Sequence, residues 1–133
     1  MLPNFLERNG GLIRAVAQCV RTGRVLIDAH MNEEAFHETL RLRQAVYFRR
    51  STGKRWHKGE ESGCVQMVRE IRINCYGDSV LLLVEQVGGA ACHEGYPTCF
   101  YRRLDMETGQ WDVIEERVFD PDTVYGQQKK GGA

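Results

Sequence analysis

Val65-Gln66-Met67-Val68-Arg69-Glu70-Ile71-Arg72-Ile73-Asn74-Cys75-Tyr76-Gly77-Asp78-Ser79-Val80-Leu81-Leu82-Leu83-Val84-Glu85-Gln86-Val87 is the stretch whose reading decides the fold. In its first half Val65, Met67, Ile71 and Ile73 alternate with Gln66, Glu70, Arg72 and Asn74, the two-residue period of a half-buried strand. The alternation slips near Arg69, where a charge falls on the apolar face, so the strand expected over Val65 to Cys75 carries an interruption there. Tyr76-Gly77-Asp78 turns the chain. Val80 to Val87 then opens with an unbroken apolar run, as a central strand covered on both faces does.

Further strands flank this pair. Leu12 to Cys19 and Val25 to Met31 read as strands joined by the turn Arg21-Thr22-Gly23-Arg24. Asn32 is placed to cap a helix, and Glu33 and Glu34 sit in its first turn, where the helix dipole favours acids. Ala35, Phe36, Thr39, Leu40 and Leu42 give that helix an apolar face ending near Arg43. Ala45 to Arg50 is expected to be a strand, Ser51-Thr52-Gly53-Lys54 a turn, and Trp56 to Gly63, polar and glycine-punctuated, a loop. Gly88-Gly89-Ala90-Ala91 closes the central strand, and Cys92 to Cys99 forms a loop around Gly95 and Pro97. Phe100 to Asp105 pairs with Trp111 to Phe119 across Glu107-Thr108-Gly109. Many strands with one clear helix predict an α+β chain built on a mostly antiparallel twisted sheet. The 133 residues match one domain, 1–133, with a short flexible tail over about 126–133.

Lys plus Arg and Asp plus Glu both number 18, so bulk charge does not hold this chain to nucleic acid or a membrane. No signal peptide and no membrane-spanning apolar run are legible, and the expected location is the cytoplasm. The five cysteines, Cys19, Cys64, Cys75, Cys92 and Cys99, are an odd count that argues against a disulfide framework.

The densest reactive stretch is Cys92-His93-Glu94-Gly95-Tyr96-Pro97-Thr98-Cys99. Two thiolates bridged by a Gly/Pro loop can converge on zinc, and a third ligand must then come from elsewhere; Cys75, beside a turn, is a candidate. The bland alternative is that the thiols are small buried hydrophobes. His93 is either a hydrogen-bonded structural residue or a general acid/base, with Glu94 as the other proton carrier in reach. A second constellation runs from Arg49 to Gly59. It is either a solvated hairpin tip or a phosphate cradle built from Arg50, Lys54 or Lys58 with the backbone at Gly53 and Gly59. Trp56 within it is either a core aromatic or a platform for a base. Glu85, a carboxylate inside an apolar strand, either faces a site or pairs with an Arg across the sheet.

Taken together, Leu12 to Gln18, Met31-Asn32-Glu33-Glu34-Ala35, Trp56-His57-Lys58-Gly59-Glu60, Val84-Glu85-Gln86, and Ala91-Cys92-His93 through Cys99-Phe100-Tyr101-Arg102 resemble phosphoribosyl-AMP cyclohydrolases. The resemblance covers roughly residues 11 to 105. It implies zinc-dependent hydrolytic opening of the adenine ring, at the N1–C6 bond of N1-(5-phosphoribosyl)-AMP, in histidine biosynthesis. It also implies an interlocked homodimer with shared sites, in which Cys92 and Cys99 bind zinc together with Cys75 from the other subunit. His93 is then the proton shuttle, and Arg50, Lys54, Trp56, His57, Lys58 and Arg102 are the substrate-binding residues. A magnesium-type site in such proteins uses an Asp-Cys-Asp-x-Asp run. Here it reads Asn74-Cys75-Tyr76-Gly77-Asp78, so Asp78 alone keeps a carboxylate, and one carboxylate binds a hard dication poorly without substrate oxygens. Two rival readings remain: a related zinc-dependent purine nucleotide hydrolase or deaminase, and a non-enzymatic zinc-stapled module that binds nucleic acid.

Overall fold

Ile13, Ala15 and Ala17 are buried while Arg14 between them is exposed, so β1 (Ile13–Cys19) lays one face on the core. Residues 2–5 and 10–124 are described by the computed structural model; the tail expected over 126–133 lies outside them. β1 turns through Gly23, whose φ of 77° suits a residue without a Cβ, and returns as β2 (Val25–Met31), antiparallel, with Ile13 opposite Met31. Asn32 then caps α1 (Glu33–Leu42), its side-chain oxygen accepting from the Ala35 N–H at 2.8 Å, a contact worth about 1 kcal/mol. The helix stops at Arg43, which takes the left-handed conformation with φ 60° and donates its N–H to the Thr39 carbonyl.

β3 (Val46–Arg49) follows, and β4 (Lys54–His57) pairs with it antiparallel. Here the expected loop is corrected: Trp56 lies opposite Tyr47 and His57 opposite Val46, so the loop begins only at Lys58. The polarity and glycines that suggested a loop belong to the stretch from Lys58 to Gly63, which does leave the hairpin.

The two strands that opened the reading are β5 (Gln66–Ile73) and β6 (Ser79–Gln86), an antiparallel pair. The interruption at Arg69 is real: register shifts between Val68 and Glu70, a bulge that turns Arg69 out of the ladder. Arg69 then reaches Glu85 at 3.1 Å, so that carboxylate pairs across the sheet. The sheet order is β2-β1-β6-β5, which makes β6 central as its apolar opening predicts. β1 and β6 run parallel while the other pairs are antiparallel. A short hairpin, β7 (Arg102–Leu104) and β8 (Trp111–Val113), follows, and a helical turn over 121–124 ends the described residues. The fold is α+β as expected.

The core lies between the four-stranded sheet, α1 and the β3–β4 hairpin, with Ile13, Ala15, Val80, Leu82 and Val84 meeting Phe36, Val46 and Tyr47. A chain of polar contacts crosses its edge. The Tyr47 hydroxyl donates to Gln66 Oε1 at 2.6 Å, and burial pushes its ionisation up, so it stays a donor. Gln66 Nε2 donates to Gln86 Oε1 at 2.9 Å, and Gln86 Nε2 to the Cys64 carbonyl at 2.8 Å. No buried side-chain nitrogen or oxygen among the described residues lacks a partner, so this chain stabilises a unique arrangement rather than leaving buried dipoles unmet.

Candidate functional site

Beyond β6 a 3-10 turn at Val87–Gly89 and the buried Ala90 and Ala91 deliver Cys92 to the interior. The loop closes on itself: the Cys92 N–H donates to the Tyr96 carbonyl at 3.0 Å and the Gly95 N–H to the Cys92 carbonyl at 2.9 Å. Gly95 has φ 89°, and a Cβ there would stand 2.2 Å from the Phe119 carbonyl oxygen, so glycine is required. Cys99 is pinned to the start of β2. Its N–H donates to the Leu26 carbonyl at 2.8 Å, and the Thr98 hydroxyl beside it donates to the Val25 carbonyl at 2.8 Å.

This brings the two cysteines together. The Cys99 thiol donates to the Cys92 sulfur, which, with the Glu94 N–H at 3.5 Å and the charge of Lys58, pulls Cys92 down to about 7 against the effect of burial. The same hydrogen bond and burial push Cys99 up. Near neutral pH Cys92 therefore passes readily to the thiolate while Cys99 keeps its proton, and a thiophilic metal can displace the protons of both, a donor set that fits zinc.

Lys58 stands behind them, 2% exposed. Its ammonium donates to the Cys64 carbonyl at 3.0 Å and the Ala90 carbonyl at 3.2 Å; burial holds it below the ordinary lysine range, and the charges of Cys64, Cys99 and Cys92 oppose that. Expected at the substrate phosphates, Lys58 instead turns its cation inward to the thiols. Lys58 directly follows β4, and its N–H donates to the buried Ala45 carbonyl at 3.2 Å, which keeps its backbone against the core.

A cleft of about 480 Å³ adjoins the loop, lined by Lys54, Trp56, His57, Lys58, Glu60 and His93 among others. Four of the expected substrate residues thus meet the expected shuttle. His93 is exposed, with Nε2 3.2 Å from Glu94 Oε1, and Glu94 also faces Arg117 at 3.7 Å. His57 Nε2 lies 2.8 Å from Gln44 Oε1. Trp56 is half-buried against Tyr47, and the Arg49 guanidinium covers its ring at 4.3 Å.

Cys75, Asp78, Arg50 and Arg102 are elsewhere. Cys75 is exposed in the turn before β6, whereas Cys92 follows its far end, and the eight residues of β6 span roughly 25 Å. Arg102 leaves on β7, its guanidinium 4.8 Å over the Tyr101 ring. Arg50 and Asp78 line a second cleft, of about 540 Å³, with Arg14, His30 and Ser79. No three His, Cys, Asp or Glu side chains converge among the described residues. Asp78 takes a hydrogen bond from Asn74 Nδ2 at 2.8 Å, and Tyr76 points to solvent, 78% exposed. One engaged carboxylate among cations does not fit a magnesium site.

Sequence reasoning missed Arg14 and His30. Their signal was present: each stands eight residues from Thr22, so a hairpin turning there makes them cross-strand neighbours.

Residues 27–101 match the sequence profile of phosphoribosyl-AMP cyclohydrolase. The chain is 50% identical to the phosphoribosyl-AMP cyclohydrolase of Oleidesulfovibrio alaskensis, over 93% of this chain and 96% of that protein. It is 52% identical to the one from Nitratidesulfovibrio vulgaris over the same shares. Against the one from Stutzerimonas stutzeri it is 49% identical, over 90% and 89%.

Proposed function

The chain belongs to the phosphoribosyl-AMP cyclohydrolase family and is a cyclohydrolase, and from that premise we propose that it hydrolyses the N1–C6 bond of N1-(5-phosphoribosyl)-AMP in histidine biosynthesis, with zinc. The observation that carries the zinc reading is the adjacency of Cys92 and Cys99, one of them a ready thiolate, beside a cleft that His93 enters. Held by Cys92, Cys99 and the partner subunit's Cys75, zinc would supply Lewis acidity that brings the pKa of water toward neutrality.

The chain's own residues do the rest. Ring opening adds a hydroxyl to C6, breaks N1–C6 and returns a proton to N1. The His93 ring carries that proton on its other nitrogen, Nδ1, while Glu94, steadied by Arg117, orients it through Nε2. Lys54, at the turn end of the β3–β4 hairpin, offers a cation to a substrate phosphate, and the Trp56 ring borders the nucleotide. The thiols, by their charge, favour the Lys58 cation against the effect of its burial.

Purified, zinc-loaded protein should convert phosphoribosyl-AMP, with an absorbance change on ring opening; a folded, zinc-loaded protein that leaves the nucleotide intact sinks the assignment. His93→Ala should lower kcat by roughly 10²- to 10⁴-fold with zinc still bound, measured by turnover alongside metal content. Unchanged turnover removes His93 from proton transfer.

The far position of Cys75 supports a shared site in a homodimer. Cys75→Ala and Cys92→Ala should each be inactive. Mixed after unfolding and refolding together, they should recover up to roughly a quarter of wild-type activity, since half the dimers are mixed and each has one intact site. No recovery would argue that the site is built within one chain.

A further inference from the structure

The register of three strands sets His30, Arg14 and Ser79 side by side. Arg14 is the direct partner of His30 across β1–β2 and of Ser79 across β1–β6, so the three share one face of the sheet. Arg50, at the end of β3, closes the same cleft. Two acids stand near. Asp28 bonds Arg14 at 3.1 Å, and Asp78 is held by Asn74. No acid pairs with Arg50 among the ion pairs of the described residues. The cations also feel one another: burial first, then the charges of Arg50 and Arg14, hold the His30 imidazole below its ordinary range, while Asp28 opposes them. A cleft in which two arginines and an imidazole face one carboxylate, itself engaged by Asn74, is arranged for an anion.

We propose that the cleft of Arg14, His30 and Arg50 binds a phosphate monoester directly, as a subsite for one of the two phosphates of the nucleotide substrate. The two arginines offer forked donors suited to phosphoryl oxygens, His30 and the Ser79 hydroxyl add single donors, and Asp78 borders the site. The cleft lies at the Cys75 end of β6, so it serves a nucleotide whose ring sits at the partner subunit's thiol pair; the proposal rests on the shared-site reading. It also assigns the loss of carboxylates at Asn74 and Tyr76 a consequence: the cations of the protein itself neutralise the phosphate, with no dication between them.

Ribose 5-phosphate is the probe, titrated calorimetrically into the zinc-loaded wild-type protein, Arg14→Gln and Arg50→Gln, with and without magnesium. Binding should weaken roughly ten- to a hundred-fold in each variant, with melting temperature and zinc content unchanged. The probe should compete with phosphoribosyl-AMP, and both variants should raise KM far more than they lower kcat. Equal affinity in wild-type and variants overturns the subsite. Binding that does not compete with substrate overturns its assignment to the substrate phosphate, and binding that requires magnesium overturns direct recognition. If the wild-type protein binds the probe in this cleft yet turns over no phosphoribosyl-AMP, the proposed reaction fails while the anion site stands. If it turns over substrate while the variants behave as wild type, the reverse holds.

Discussion

Cys92→Ser should lose zinc and lose turnover together, with kcat/KM falling by about 10³-fold or more. The magnitude follows from the several kcal/mol of charge stabilisation that a catalytic metal contributes, at about 1.4 kcal/mol per decade. Cys92 is the member of the pair that ionises near neutral pH, because Cys99 and the Glu94 N–H donate to it. A serine hydroxyl in its place stays protonated and is a hard, neutral donor that zinc does not select over thiolate. The fold should survive. Cys92 caps no strand, and its backbone bonds to Tyr96 and Gly95 do not depend on sulfur. Metal content by mass spectrometry under native conditions, circular dichroism and turnover on one preparation check the three claims. Full activity in a zinc-free variant would remove metal from the mechanism.

Much of this was legible before any coordinates. The period-two pattern of β5, the apolar runs of β1 and β6, the Asn32 cap and the Gly23 turn are local signals, and each appears in the fold where its chemistry puts it. The Arg69 interruption reads directly as a bulge, because a charge on an apolar face must be turned out. β4 was not legible. Its residues Lys54-Arg55-Trp56-His57 alternate poorly, since half the hairpin faces solvent and only pairing with β3 makes a strand of it. The parallel contact of β1 with β6 was hidden as well, because it joins segments about 65 residues apart with no local trace.

The site divides along the same line. The Cys92–Cys99 loop is contiguous, so its convergence follows from the Gly95 and Pro97 turn, and the spacing pointed to it. Groups contributed by different elements were placed less well. The basic run from Arg49 to Lys58 looked like one cluster, yet the β3–β4 hairpin sends Arg50 to one cleft, Lys54 to another and Lys58 into the interior. A count of charges along the chain cannot separate them, because the direction of each side chain is set by strand pairing.

Lys58→Met tests that interior position, and a double effect is expected. The Ala90 carbonyl loses its ammonium donor in a buried setting, whereas the Cys64 carbonyl keeps Gln86. One unmet buried acceptor costs about 1–3 kcal/mol, a fall in melting temperature on the order of 5–10 °C for a domain of this size. The second effect is electrostatic. Lys58 favours the thiolate form of Cys92, so its removal raises that group, and less thiolate is present below the new midpoint. Alkylation of the metal-free protein by iodoacetamide should therefore need higher pH in the variant. The acidic limb of kcat/KM should move up in the same direction, and turnover at pH 7 should fall roughly 10- to 100-fold, the usual loss when a group supporting a metal ligand is removed. Lys58→Arg, which keeps the charge in a bulkier head, should restore the pH profile more fully than the melting temperature. A methionine variant that melts lower but alkylates and turns over with the wild-type pH dependence would make Lys58 a packing residue and leave the Glu94 N–H and Cys99 as what sustains the thiolate.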